Sequence, residues 1–180
     1  MGCSSRRPRR PGPAAGRGVM ADLTQEDLTK VLRYDPNSGQ FVWLVSRGNV
    51  KAGVSAGSLD RSGRRRIFID GQRYFAHRLA WLYAYGAWPA GVVDHIDGDT
   101  KNNALCNLRD VPGAVNAQNR RRAARANKSG LLGVIRKNGR FFAAISVNNK
   151  SRHLGVFDTA EEAHFAYVEA KRAYHVGCTL

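Results

Sequence analysis

Asp94 and His95 stand side by side in the stretch VVDHIDGDTKNNALCNLR, residues 92–109, and a crowd of asparagines follows them. Those residue types suit the hydrolysis of a phosphodiester. The reaction needs a base to take a proton from water. It needs a cation to neutralise the charge that builds on a phosphorane-like transition state, and something to hold the base in position. Histidine is the natural base near neutral pH. Aspartate offers Mg²⁺ a hard oxygen and asparagine a neutral one, while the ion keeps several waters and takes the phosphate itself as a ligand. The competing reading of the same stretch is a surface loop, because Asp, Asn and Gly are turn formers.

Local geometry constrains the chemical reading. Adjacent strand residues point to opposite faces, so Asp94 and His95 can serve one centre only where the strand twists or ends. Gly98 supplies a turn soon after. Asn116 and Asn119 are three apart in AVNAQNRRRAARA, a stretch of strong helix propensity, and so share one helix face that can close over the strand end. Arg120, Arg121 and Arg122 follow directly, where phosphate contacts are wanted; on a helix, only some of them can face a nucleic acid.

The elements that must carry these residues are readable in outline. Thr24 and Asp27 mark a helix start, and DLTKVL carries the helix to about Tyr34. DPNSG is a turn, QFVWLV alternates like a strand, and RRRIFID and RYFAH flank the hairpin dipeptide Asp70-Gly71. HRLAWLYAYG reads as a short helix with Leu79, Leu82 and Tyr83 on one face and Gly86 as its C-cap. Strands over Gly91–Ile96 and from Asn107 bracket the Asp-His loop. After Asn127-Lys128-Ser129-Gly130 come three strand-like runs, LLGVIRK, FFAAISVNN and SRHLGVF, joined by Asn138-Gly139 and Asn148-Asn149-Lys150. DTAEEAHFAYVEAKRAY then forms an amphipathic helix with a Thr159–Glu162 capping box and a stripe of Ala163, Ala166, Tyr167 and Ala170.

Composition narrows the partner. The chain has 180 residues, a 43% hydrophobic share and a net charge of +15. That charge calls for an anionic partner, nucleic acid first and an anionic membrane surface second. No apolar run approaches the roughly twenty residues of a membrane span. The three cysteines, Cys3, Cys106 and Cys178, form no C-x-x-C pair, which argues against a zinc ribbon and a disulfide framework and fits a reducing compartment. Residues 1–20 are Arg, Pro, Gly and Ser with almost nothing to bury, and read as a disordered basic tail without a secretory signal. Gly2-Cys3 hints at lipidation, but Arg6 stands where the motif wants Ser or Thr. The Arg run could instead be a nucleic-acid contact or a nuclear address, and Met20 is an alternative start.

The segment VVDHIDGDTKNNALCNLRDVPGAVNAQNRRR, extended upstream through RRRIFIDGQRYFAHRLAWLYAYGAWP, resembles the HNH endonucleases of the phage and homing type. D-H-I-D-G with N-N-x-x-x-N-L at this spacing is specific, and the resemblance spans roughly residues 22–124. It implies an α+β fold with a ββα-metal (His-Me finger) core, in which two antiparallel strands and a helix grip one divalent ion. Carried over by position, His95 is the general base and Asp94 a metal ligand. Asn107 is the middle motif letter, holding the loop and the His backbone in register, and Asn116 is the third letter and second ligand. Many members have His at that third position; the Asn here is as in nicking homing members. Asn119 is the fallback for Asn116. Asn102 and Asn103 satisfy loop backbone, and Asp97 and Asp99 read as turn residues. His77, His153, His164 and His175 receive no chemistry, with His164 and His175 on a helix surface.

GRFFAAISVNNKSRHLGVFDTAEEAHFAY resembles the Apetala/ethylene-response-factor DNA-binding domain, most specifically in LGVFDTAEEAHFAY. The resemblance implies a three-stranded antiparallel sheet with one packed helix, the sheet entering the major groove. Matching exposed positions are Arg136, Lys137, Arg140, Ser146, Lys150, Arg152 and His153. Here Lys137-Asn138 stands where plant members carry a Trp, and Ala144 and Ser146 replace second-strand arginines, so base-edge readout is expected to be weaker than phosphate contact.

The expectation is a DNA endonuclease using Mg²⁺, with Mn²⁺ fitting the same ligands. It takes double-stranded DNA and no small-molecule cofactor or membrane, leaves 5′-phosphate and 3′-hydroxyl ends as the family does, and works in the cytoplasm of a bacterial or phage-infected cell rather than as a secreted protein. Its units are a nuclease domain over 21–125 and a DNA-binding domain over 126–180. Arg78, Arg120, Arg121, Arg122, Arg136, Lys137, Arg140, Lys150 and Arg152 are the expected DNA contacts. The alternatives are a DNA-binding regulator with an inactive core and, more weakly, a binder of structured RNA.

Overall fold

The structure is a computed structural model that describes residues 23–179. The tail and start site read over residues 1–20 lie outside the described residues. Among the described residues the fold is α+β, with four α-helices and four small antiparallel sheets.

Helix α1 spans Gln25–Val31, with Thr24 as its N-cap accepting from the Asp27 amide at 3.1 Å. It stops short of the expected Tyr34. Leu32–Asp35 is instead strand β1, paired with β2 over Gln40–Trp43. The alternation of buried Leu32 and Tyr34 with exposed Arg33 and Asp35 is a strand period, and it puts both inward residues opposite Trp43 and Phe41. At the hairpin turn Gly39 has φ +70°, and a Cβ there would lie 2.2 Å from the Asn103 carbonyl carbon. Only glycine lets this turn dock on the loop that follows His95.

Strands β3 (Ser58–Leu59), β4 (Arg65–Ile69) and β5 (Gln72–Phe75) form one sheet, with Asp70-Gly71 making the β4–β5 turn at positive φ. Helix α2, Ala76–Tyr85, follows without a break and ends on Gly86 in the left-handed region. Leu79 and Leu82 are buried in one core with Leu28, Leu32, Phe41, Ile67, Ile69, Val93 and Leu108. That core anchors β6 (Val92–His95) and β7 (Leu108–Val111), an antiparallel pair that leads into α3, Gly113–Gln118.

The helix expected over residues 114–126 is therefore only six residues long. Past Asn119 the chain is held by tertiary hydrogen bonds from Asn119 and Arg121 to the β6 end, and these override a favourable helix propensity. Arg120, Arg121 and Arg122 accordingly lie in irregular chain and not on a helix.

Strands β8 (Val134–Lys137), β9 (Arg140–Val147) and β10 (Lys150–Phe157) form the last sheet, in spatial order β8-β9-β10. Helix α4, Ala160–Tyr174, opens on the Thr159–Glu162 capping box and packs Ala163 against Val134 and Ala143. His164 and His175 are not plain surface residues. Both are half-buried, His164 with Nδ1 2.8 Å from the Leu132 carbonyl and His175 with Nε2 2.8 Å from the Ser146 carbonyl.

Candidate active site

The β6–β7 register sets Asp94 directly opposite Arg109 and His95 opposite Leu108. Asp94 Oδ2 accepts from Arg109 Nε at 3.0 Å and Nη2 at 2.8 Å. Asn119 Nδ2 approaches Oδ1 at 3.2 Å and Oδ2 at 3.1 Å, and donates to the His95 carbonyl at 2.8 Å. Asp94, His95 and Asn119 are each 6% exposed, so the carboxylate is a buried charge that needs these donors. The strand end resolves the problem of opposed faces. His95 is the last β6 residue, and both side chains reach one cleft of about 1390 Å³. Asn116 and Asn119 line it from α3 and its cap, with His77 and Arg78 from α2 and with Arg120, Arg121 and Arg122.

His95 has a defined orientation. Its Nε2 lies 3.2 Å from Asn103 Oδ1, while Asn103 Nδ2 donates to the Lys101 carbonyl. An amide oxygen only accepts, so Nε2 carries a proton, and in the neutral form of the ring the lone pair falls on Nδ1. Asn103 is itself pinned, 2% exposed, with its carbonyl taking the Tyr34 hydroxyl at 2.7 Å. Burial raises the Tyr34 phenol well above its usual range, so it remains a donor.

Asn107 organises the intervening loop. Its Oδ1 accepts from the Asp97 amide at 3.0 Å, and its Nδ2 donates to Asp97 Oδ1 at 2.9 Å and to the Asn102 carbonyl at 2.8 Å. Burial would raise the Asp97 carboxyl, but hydrogen bonds from Asn102, the Asp99 amide and Asn107 outweigh it and hold the group below its ordinary value. Asn107→Ala strands these partners, and urea unfolding should show a loss of about 1–3 kcal/mol.

His77 contacts His95 ring edge to face at 5.1 Å and stacks on Phe75 at 5.3 Å. Burial, followed by the neighbouring His95, Arg64 and Arg78, brings its pKa down to about 3, so it sits neutral in the cleft wall. Between that value and the ordinary 6.5 the unfolded chain binds the extra proton. Stability from His77 is complete above pH 6.5 and drains away as pH falls toward 3. Urea midpoints measured from pH 7 to pH 4 should fall less steeply in His77→Phe than in the parent.

The donor set suits a hard divalent ion. Asp94 Oδ1 carries one hydrogen bond where a carboxylate oxygen can take two, which leaves a position for a cation. Asn116 is half-buried on the cleft wall, and among the described residues its side-chain amide has no hydrogen-bond partner. Among the described residues no three His, Cys, Asp or Glu side chains converge as a metal cluster. An ion here would therefore have one carboxylate, a neutral amide, water and the substrate phosphate.

The expected DNA contacts divide by geometry. Arg78 lies 5.6 Å over the Trp88 ring at the cleft edge. Arg121 Nη2 donates to the Ile96 carbonyl at 3.1 Å and to Thr179 O and Oγ1, both at 2.7 Å, so it braces the site. Cross-strand partners share a sheet face. Arg136 pairs with Phe141 and Arg152 with Ile145, which puts both on the α4 side; Arg152 lies 5.0 Å over the Tyr174 ring. Lys150, opposite Val147, falls on that side as well. Lys137 and Arg140 are opposite one another on the open face with Ser146 and His153, and Arg140 pairs with Asp158 at 2.6 Å. The basic residues thus divide between two faces instead of forming one row.

Arg109, His77 and Thr179 had no signal in motif spacing, and Arg109 is identified only by the strand register. Asn103 belongs to N-N-x-x-x-N-L and reads there as a loop-backbone residue; its side chain's reach to His95 is what the structure adds.

Residues 74–118 match the family model described as HNH endonuclease. The stretch contains both strands, the loop and α3, and the match supports a nuclease, a phosphodiester hydrolase. Among solved structures, "DNA binding and cleavage by the HNH homing endonuclease I-HmuI" is similar at 18% identity and a TM-score of 0.41, covering 82% of this chain and 88% of that one. No curated protein matches the chain.

Proposed function

We propose that the protein is a divalent-metal-dependent DNA endonuclease in which His95 activates water and Asp94 and Asn116 hold the ion. The observation that carries this reading is the convergence of a buried carboxylate, an oriented imidazole and an unpartnered amide on one arginine-walled cleft. When bound, the ion, Mg²⁺ by preference and Mn²⁺ by the same ligands, neutralises charge on the scissile phosphate and leaving oxygen. His95 Nδ1 takes the proton of the attacking water, while Asn103 holds Nε2 and keeps the ring from turning. Arg109 and Asn119 hold the Asp94 carboxylate in one plane. The products are a 5′-phosphate and a 3′-hydroxyl. In this reading residues 21–125 cut, and residues 126–180 hold the duplex by phosphate contacts from Lys137, Arg140 and their neighbours.

The test is supercoiled plasmid incubated with the protein and Mg²⁺ or with a chelator, followed by sequencing of the ends. Cleavage in Mg²⁺ alone supports the reading. A protein that shifts duplex on a gel yet leaves plasmid intact is a DNA-binding regulator instead. Binding itself should weaken with salt, log affinity falling against log salt with a slope of about −0.9 for each phosphate neutralised. A salt-independent affinity, measured by anisotropy, would contradict the phosphate-contact model.

A further inference from the structure

Beyond α4 the chain turns back across α3. The Gly177 amide donates to Gln118 Oε1 at 3.0 Å, and the Gly177 carbonyl accepts from Arg109 Nη2 at 2.9 Å. A Cβ at Gly177 would lie 2.2 Å from the Val115 carbonyl oxygen, so this backbone rests directly on the helix. Lys171, 1% exposed on α4, donates to the Arg120 carbonyl just after α3. Two residues past Gly177, the Thr179 hydroxyl accepts from Arg121 Nη2 at 2.7 Å and donates to Asn119 Oδ1.

The direction of that chain of hydrogen bonds is fixed at both ends. A guanidinium can only donate and a carboxylate can only accept. A hydroxyl has one hydrogen, and in Thr179 it goes to the Asn119 oxygen. Asn119 must then turn its NH₂ toward Asp94 and the His95 carbonyl, as observed. The reverse orientation would set an amide oxygen against a carboxylate and a carbonyl. Thr179 takes one lone pair of the Asn119 oxygen, whereas the Asn116 amide, with no hydrogen-bond partner among the described residues, remains the candidate ligand.

We propose that Thr179 is a positioning residue of the nuclease site, orienting Asn119 so that Asn119 holds Asp94 and the His95 backbone. The proposal rests on the nuclease reading above. It makes the segment after α4 part of the cutting machinery, 60 residues from the side chain it orients.

Thr179→Val removes the hydroxyl at nearly constant shape, and Thr179→Ser retains it. In plasmid nicking, Thr179→Val should lower kcat about tenfold, with KM and duplex affinity unchanged, and Thr179→Ser should restore the rate. A second readout needs no cleavage. The Asn119 side-chain NH₂ signals, assigned by their loss in Asn119→Asp, should exchange slowly with solvent in the parent and in Thr179→Ser and faster in Thr179→Val. Equal exchange in parent and Thr179→Val overturns the proposal. So does faster exchange with unchanged kcat, or a defect that serine does not rescue. If the parent does not cut, the nuclease reading fails, and proton exchange still decides whether Thr179 orients Asn119.

Discussion

Replacing His95 with alanine should lower the single-turnover rate of DNA cleavage by about 10²–10⁴-fold while leaving duplex affinity unchanged. The size follows from the proposed role as general base. A positioned base contributes in the transition state. His77 is the nearest imidazole, but its ring is wedged between Phe75 and His95 at the cleft wall. Affinity should persist because the basic side chains around the cleft, Arg78 and Arg120 among them, are untouched. The comparison is made by quenched-flow cleavage of a labelled duplex beside fluorescence anisotropy. A variant that cuts within a few fold of the parent would remove His95 from the chemistry.

The largest stability effect should come from Phe41→Ala, at about 3–5 kcal/mol by urea unfolding. Phe41 is fully buried, stacked on Tyr34 at 4.7 Å and set edge-on to Tyr83 at 6.4 Å. Its removal leaves a void between β2 and α2 that the rest of the core cannot fill without moving. The damage should also reach the site. Tyr34 hydroxyl holds the Asn103 carbonyl, and the Asn103 side chain holds His95. Activity at temperatures where the variant stays folded should therefore fall too. A loss below 1 kcal/mol would mean that Phe41 is not a core anchor.

Local chemistry was legible wherever a few neighbouring residues determine the outcome. Asp70-Gly71 and Asn138-Gly139 sit in their turns at positive φ, and Thr159 with Glu162 caps α4 at both hydrogen bonds. The Leu32–Asp35 strand was hidden because a short apolar run fits both a helical and a strand period. It becomes a strand through pairing with β2, which local spacing does not encode. The end of α3 was hidden for a related reason, since Asn119 and Arg121 leave the helix to bond the β6 terminus.

The site divides in the same way. Asp94, His95, Asn107 and Asn116 are readable as a spaced motif. The contacts that support them are not: Asn103 meets His95 across 8 residues, Arg109 meets Asp94 across 15, and Thr179 meets Asn119 across 60. Such contacts depend on strand register and on where the last helix ends. The divided basic sheet is the same lesson in reverse. Lys137 and Arg152 look equivalent in sequence, yet the register sends them to opposite faces.

The most direct measurement is the position of the ion. Crystals of His95→Ala with a short duplex, grown in Mn²⁺, should give an anomalous peak within about 2.5 Å of an Asp94 carboxylate oxygen and of Asn116 Oδ1, with a phosphate oxygen beside it. A peak held by Asn119 in place of Asn116, or an ion bound away from Asp94 altogether, would contradict the arrangement.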